Sequence, residues 1–170
     1  MTTIPDPAVA PSADPIEIAE RSPVHPDATR LLRAFHSEQL HRYGFADPAE
    51  LTSRDYTAPS GVFAVVYCGA IPIGCGGYRW FDQTTHTVEM KKIYIAPASR
   101  GLGAGRALLS WLERHALASG ARRAILETGV RNTSALGLFA SAGYGAVDRY
   151  VEGRDPAINR AFARLLTSEG

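Results

Sequence analysis

The sequence predicts a mixed α/β fold in which helices flank a central sheet of about six to seven strands. Two apolar runs, residues 62–67 and 71–81, are separated by Cys-Gly-Ala, a connection typical of an antiparallel hairpin. Further along the chain, strand-like runs alternate with helical patterns, which is typical of strand-helix-strand units and a parallel pair. We therefore expect a sheet that is antiparallel at its start and contains a parallel pair at its centre.

The individual elements follow from the spacing of apolar residues. Alternation over residues 16–19 predicts a half-buried strand, and helical spacing over residues 27–43 predicts a helix that ends at Gly44. The stretch 46–59 contains prolines and predicts an irregular connection with a helical turn near residues 48–51. The remaining elements are expected to be strands over 87–95, 124–128 and 145–152, a helix from the glycine-rich stretch at 100–105 to residue 118, and helices over 132–142 and 157–166.

Length and composition restrict the class of protein. The 170 residues suffice for one domain, expected over residues 15–170 after a flexible leader of residues 1–14. The formal net charge of +1 gives no electrostatic reason to expect a nucleic acid or an anionic membrane as a partner. No segment approaches the ~18 apolar residues of a membrane span, and no signal-peptide pattern is present. We therefore expect a cytoplasmic protein.

The spacing of cysteines and histidines argues against a metal site. Cys68 and Cys75 fit neither a disulfide framework nor a zinc knuckle. The closest histidine pair, His36 and His41, does not share a helix face as an i, i+4 zinc pair would. No metal is expected, and no motif places a histidine beside either cysteine for nucleophilic catalysis.

A glycine-rich stretch, Arg-Gly-Leu-Gly-Ala-Gly at residues 100–105, lies between a predicted strand and a predicted helix. Such a loop presents backbone N–H groups and a positive helix end to a phosphate, and Arg100 and Arg106 would suit a pyrophosphate. The dinucleotide pattern G-x-G-x-x-G would need a glycine at Arg106 or Leu108, and the triphosphate pattern would need a Gly-Lys pair. Both patterns fail, which leaves an anion-binding loop or a tight turn that merely starts a helix.

These six residues are similar to the R/Q-x-x-G-x-G/A signature of the GNAT superfamily of N-acetyltransferases, and the element order over residues 16–166 is compatible with that fold. The resemblance implies that the two parallel strands splay apart and that the pantetheine arm of acetyl-CoA inserts between them and pairs with the first strand. It also implies acetyl-CoA as the co-substrate. The residues expected to bind it are Ile93, Tyr94, Ile95, Arg100, Gly101, Leu102, Gly103, Ala104, Gly105, Arg106, Asn132 and Phe139.

Three residues are candidates for proton transfer. Glu89 resembles the glutamate that acts as a base in part of the family, and the alternative is a carboxylate ion-paired with its lysine neighbours. Phe139 stands where many members have a tyrosine that protonates the leaving thiolate, so water, Tyr144 or Tyr150 would have to substitute. A thiol with a pKa near ~8.5 is a tolerable leaving group without such help.

The acceptor site is expected near the end of the first helix, as in the family. Its candidate residues are His41, Arg42, Tyr43, Arg79 and Trp80, of which Arg42 or Arg79 would suit a carboxylate on the acceptor. The sequence thus predicts direct transfer of acetyl from acetyl-CoA to a primary amine of a small molecule or amino acid. The alternatives are a protein lysine or N-terminal acetyltransferase and a non-catalytic coenzyme-A-binding regulatory module. Family resemblance makes a homodimer possible.

Overall fold

A computed structural model describes residues 14–168 of the chain. Nearly the whole predicted leader, residues 1–13, lies outside the described residues. The described part contains strands β1 (Ile16–Glu20), β2 (Gly61–Cys68), β3 (Ile71–Asp82), β4 (Thr87–Ile95), β5 (Arg123–Gly129), β6 (Gly145–Val147) and β7 (Asn159–Leu165), and helices α1 (Pro26–Tyr43), α2 (Ala104–Ala118) and α3 (Thr133–Ser141).

The strands form one sheet in the order β1-β2-β3-β4-β5-β7-β6, and all neighbours are antiparallel except β4 and β5. The predicted antiparallel start and central parallel pair are therefore confirmed. Both faces of β2 are buried, because Val62 and Val66 pack with α2 and α3 on one face while Phe63 and Val65 pack with α1 on the other. Burial on both faces explains why this strand is a continuous apolar run.

The parallel pairing of β4 and β5 is short. It joins Thr87 to Arg123, Val88 to Ala124 and Glu89 to Ile125, and no further pairs follow. Beyond it, β4 carries a bulge opposite β3, and Lys92 at the bulge has the left-handed backbone angle φ of 58°. The second half of β4 therefore has a free edge toward β5, as expected of a splayed pair.

The predicted closing helix is wrong, because the last regular element is strand β7. It pairs with β5 along its whole length, from Leu165 opposite Arg123 to Asn159 opposite Gly129. The helical spacing was misleading, since Leu165 on the supposed buried stripe is 71% exposed. Strand β7 satisfies the hydrogen-bonding groups on the far edge of β5, and this long-range pairing outweighs the local pattern.

Two further elements differ from their predicted extents. Strand β6 ends at Val147 instead of residue 152, and the chain then leaves the sheet. The segment 148–158 carries Tyr150 and Arg154 back to strands β4 and β5, where they bond to carboxylates. The helical turn after α1 is a 3-10 turn at Ser53–Tyr56 instead of residues 48–51.

Candidate active site

A cleft of about 310 Å³, here called the loop cleft, opens where the end of β4 meets the first turns of α2 and α3. Most of the residues predicted to bind coenzyme A line it, whereas Leu102 is exposed beside it and does not. The lining residues from that prediction are Ile93, Tyr94, Ile95, Arg100, Gly101, Gly103, Ala104, Gly105, Arg106 and Asn132.

The glycine loop leaves its backbone accessible from the cleft. Gly101 and Gly103 have φ angles of 80° and 85°, a left-handed conformation that favours glycine, and no atom lies within 4 Å of where their Cβ would be. Gly103 caps α2 without any side-chain hydrogen bond. The N–H groups of the first helical turn, which have no partner inside the helix, therefore remain for an anion in the cleft. A diphosphate fits this arrangement.

The two arginines beside the loop differ in their partners. Arg100 Nη2 lies 2.9 Å from both carboxylate oxygens of Glu38 on α1, and its Nε donates to the Ile95 carbonyl at 2.9 Å. Arg106 Nη1 donates only to the hydroxyl of Ser141, at 3.1 Å on the exposed rim. Among residues 14–168, Arg106 therefore has no carboxylate partner, whereas Arg100 pairs with Glu38, a carboxylate that it shares with Arg42.

A second cavity of about 110 Å³, here called the splay chamber, lies between β4 and β5 beyond their last paired residues. It adjoins the loop cleft, because the two cavities share the four lining residues Phe35, Ile93, Asn132 and Ala135. Asn132 also caps α3, since its side chain accepts a hydrogen bond from the N–H of Ala135 at 3.3 Å. The glycine loop and the chamber therefore lie on either side of a shared wall of four residues.

Tyr144 and Tyr150, the two tyrosines expected as proton donors, line neither cavity. Phe139 lines the splay chamber without offering a hydroxyl group. Tyr144 donates to Glu113 on α2 at 3.2 Å, and Tyr150 donates to Glu89 Oε2 at 2.8 Å. Burial, and then the adjacent carboxylate, raises the pKa of both tyrosines above the usual value.

The predicted base Glu89 is closed in. It is 2% exposed and lines neither cavity. Its Oε1 accepts from Arg79 Nε at 3.2 Å, and its Oε2 accepts from the Tyr150 hydroxyl. Both carboxylate oxygens therefore have partners, and the structure brings together Glu89, Arg79 and Tyr150 as one hydrogen-bonded cluster.

A different carboxylate, that of Glu127 on β5, lines the splay chamber. Arg154 contacts its Oε1 through Nε at 3.1 Å and Nη2 at 2.9 Å, and among the described residues none bonds to Oε2. Arg154 also holds Asp47 at 3.1 and 2.8 Å, and this bond lowers the pKa of Asp47. Oε2 of Glu127 is thus without a hydrogen-bond partner among residues 14–168.

The residues predicted to bind the acceptor are mostly occupied elsewhere. His41 is exposed and lines neither cavity, and Arg42 bonds to Glu38 and Gln39 at 2.7 and 3.2 Å. The Tyr43 hydroxyl accepts from the N–H of Arg131. Arg79 pairs with Glu89 and lies 3.8 Å from Asp55, and together with Trp80 it lines a separate outer pocket.

The chamber wall instead contains polar residues that the sequence did not single out. A signal was available for three of them: Glu127 interrupts an apolar strand, and Lys91 and Lys92 are adjacent charges in another strand. The polar chamber residues outside the predicted set are His36, Gln39, Asp47, Lys91, Lys92, Glu127, Thr128 and Asn159.

A thiol nucleophile does not fit this site. Burial raises the pKa of the Cys75 thiol to about 12, so it is almost entirely protonated at neutral pH. Within residues 14–168, no three His, Cys, Asp or Glu side chains are grouped so that they could hold a metal ion. No helix in the same part of the chain is both long and apolar enough to span a bilayer.

Comparisons with known proteins agree with this architecture. The model of the Acetyltransferase (GNAT) family matches residues 26–144. The chain is 31% identical over 134 residues to the IAA acetyltransferase of Azospirillum brasilense, which covers 76% of this chain and 84% of that protein. An acetyltransferase of the GNAT family from Staphylococcus aureus superimposes with a TM-score of 0.74 at 19% identity, over 90% of this chain and 100% of that one. The yncA structure from Salmonella typhimurium with its cofactor acetyl-CoA gives a TM-score of 0.67 at 20% identity, over 91% and 95% of the two chains. The chain therefore belongs to the acetyltransferase (GNAT) family and is an acyltransferase.

Proposed function

We propose that this protein transfers the acetyl group of acetyl-CoA directly to a primary amine of a small molecule or amino acid. One observation carries the proposal: the loop cleft and the splay chamber adjoin, since Phe35, Ile93, Asn132 and Ala135 line both. The proposed anion-binding loop would thereby lie next to a chamber that is lined by the carboxylate residue Glu127. Direct transfer between two bound reactants needs such an arrangement.

The chain has suitable groups for holding the co-substrate, which supplies an activated acetyl thioester. The glycine loop and the first turn of α2 would bind the diphosphate, with Arg106 adding a positive charge at the rim. The free edge of β4 from Ile93 to Ile95 would pair with an extended arm, although the Ile95 carbonyl already accepts from Arg100. Backbone N–H groups of the same edge would stabilise an oxyanion near the splay.

We assign the role of base to Glu127. An amine must lose a proton to react, and free alkyl amines with a pKa near ~10.4 are mostly protonated at neutral pH. Glu127 lines the chamber and its Oε2 has no partner among residues 14–168, whereas the predicted base Glu89 lines neither cavity. Glu127 is therefore the carboxylate that stands beside the proposed acceptor position and can accept the proton there.

The leaving thiolate needs no dedicated acid in this proposal. Tyr144 and Tyr150 bond to carboxylates outside the chamber, and Phe139 has no proton to give. Because a free thiol has a pKa near ~8.5, the thiolate leaves readily near neutral pH and can take a proton from water. The acceptor itself must be compact, since about 110 Å³ holds roughly four waters at ~30 Å³ each.

A thiol-release assay tests the proposed function. Purified protein is incubated with acetyl-CoA and, in turn, amino acids, polyamines, aminoglycosides and peptides, and free coenzyme A is measured. We expect release with compact primary amines. Release with peptides alone would favour a protein acetyltransferase, and acetyl-CoA binding without release on the whole panel would favour a regulatory module. Either result would overturn the proposal.

A further inference from the structure

We propose that Lys91 and Lys92 form an anion subsite in the splay chamber and that this subsite selects acceptors carrying a carboxylate close to their amine. Both side chains line the chamber that also contains Glu127. The inference rests on the proposed function and makes it more specific, because it assigns the acceptor to the class of small amino acids and related zwitterions.

Composition makes the two positions unusual. Lys91 and Lys92 are the only lysines among 170 residues, and the other 16 of the 18 basic side chains are arginines. Both lysines of the chain line this chamber, and all remaining Lys or Arg positions are arginine. An ammonium group is a compact charge, whereas a guanidinium needs room for a planar fork. Lysine is therefore the cation that suits a chamber of about 110 Å³.

The bulge in β4 explains how two consecutive residues of a strand reach one cavity. Side chains of a regular strand alternate between the two faces of a sheet, so neighbours normally point apart. Here, β4 advances from Lys91 to Tyr94 while β3 advances only from Gly77 to Cys75, and the extra residue has Lys92 at a φ of 58°. The bulge thus places Lys91 and Lys92 on the same side, where both line the chamber.

The charges around the chamber leave both ammonium groups without a carboxylate partner. The two acidic residues of the wall, Asp47 and Glu127, are both bonded to Arg154. Lys92 donates to the Pro48 carbonyl at 3.1 Å and lies 5.9 Å from the centre of the Phe35 ring. Lys91 has no hydrogen bond or ion pair with any residue in 14–168, and Asp47 interacts with both lysines only at longer range. Within these residues, neither ammonium group therefore has a carboxylate at ion-pair distance.

A zwitterionic acceptor complements this arrangement at both of its ends. Its carboxylate would neutralise Lys91 and Lys92, and its amine would approach the free Oε2 of Glu127. Burial lowers the pKa of Lys92, and a carboxylate beside it would favour the charged form again. Arg42 and Arg79, the carboxylate partners predicted from the sequence, are already paired with Glu38 and Glu89.

Matched acceptors test the subsite. Thiol release is measured with small amino acids and with the amines that remain after their decarboxylation, such as glycine with methylamine and alanine with ethylamine. We expect kcat/KM of the wild type to favour the amino acid by roughly tenfold or more, as for a charged hydrogen-bonded contact. Equal rates for both members of each pair would refute the subsite and leave the proposed function intact. No release with any amine would overturn both proposals.

Substitution of each lysine tests whether Lys91 and Lys92 cause the preference for amino acids. Lys91→Met and Lys92→Met should each reduce the ratio of kcat/KM for the amino acid to kcat/KM for the plain amine at least several-fold. The control Arg33→Met removes an exposed positive charge from α1 and should leave the preference unchanged. An unaltered preference in both lysine variants would contradict the proposal.

A binding measurement keeps the test decisive if a variant does not fold. Wild-type protein is treated with an amine-reactive reagent, and the modification of its two lysines is followed by mass spectrometry. An amino-acid acceptor should protect both lysines, whereas the decarboxylated amine at the same concentration should not. Equal labelling with both ligands would also refute the subsite.

Discussion

The loop cleft and the splay chamber lie next to each other but are built in different ways. The glycine loop and the end of β4, both within residues 93–106, supply most of the cleft wall, and α3 completes it. The chamber takes its charged groups from the loop after α1, from β4 and from β5, and Arg154 in segment 148–158 ties two of them together. The cleft presents mainly backbone and apolar groups, whereas the chamber presents ionised side chains. Under the proposed function, binding of the co-substrate would therefore depend on local chain geometry, whereas choice of the acceptor would depend on residues that are distant in the chain.

Two carboxylates on neighbouring strands also differ in their surroundings. Glu89 on β4 and Glu127 on β5 are each bonded to an arginine. Tyr150 binds the second oxygen of Glu89, whereas the second oxygen of Glu127 has no partner among residues 14–168. Glu89 is also the more deeply buried of the two, with 2% of its side chain exposed against 14% for Glu127.

The largest expected effect comes from removing the free oxygen of the chamber. Glu127→Gln should lower kcat by about 100-fold or more, the usual contribution of a general base, with little change in acetyl-CoA affinity. The glutamine amide oxygen can still accept from Arg154, so the contact with the segment 148–158 is kept. Glu89→Gln is the matched variant and should lower kcat much less. Steady-state kinetics measures kcat of the two variants, and calorimetry measures their affinity for acetyl-CoA. A larger loss of kcat in Glu89→Gln than in Glu127→Gln would make Glu89 the base.

A smaller effect is expected in the loop cleft. Gly103→Val should weaken acetyl-CoA binding by about tenfold or more, because a side chain would occupy the space where a diphosphate approaches the backbone. Gly120→Val is the control at the other end of α2, since Gly120 also has a left-handed φ of 103° and open space around it. Both variants should lose stability through backbone strain, roughly 1–2 kcal/mol or more. Equal affinities of the two variants would mean that the loop does not hold the ligand.

The smallest expected effect is an increase in the rate of acetyl transfer. Phe139→Tyr places a hydroxyl on the chamber wall and should raise the rate two- to threefold below pH ~8, where protonation of the thiolate has the most influence. The increase should fade at higher pH, so a pH profile of kcat is the measurement. A rate that falls equally at every pH would show that Phe139 contributes through packing alone.

The sequence was most informative where structure is local. Antiparallel β2 and β3, the glycine loop and helices α1 and α2 follow from patterns within a few residues, and each was predicted close to its observed bounds. Strand β7 was missed because its residues also have helical spacing, and only pairing with β5 decides between the two. Long-range contacts also limit what the sequence says about the site. The sequence suggests Arg42 and Arg79 as partners for an acceptor carboxylate, but the fold pairs them with Glu38 and Glu89.

The family and the mixed sheet could be read from the order of residues along the chain, and the same order predicts an anion-binding loop, because consecutive residues would supply the backbone groups that recognise a phosphate. Which charges have partners depends on folding. Arg100 pairs with Glu38 across 62 residues of chain, and Arg154 joins Asp47 to Glu127 across 107 and 27 residues. An ion pair depends on distance in space and not on separation along the chain, so no local pattern reveals which carboxylate or cation remains unpaired.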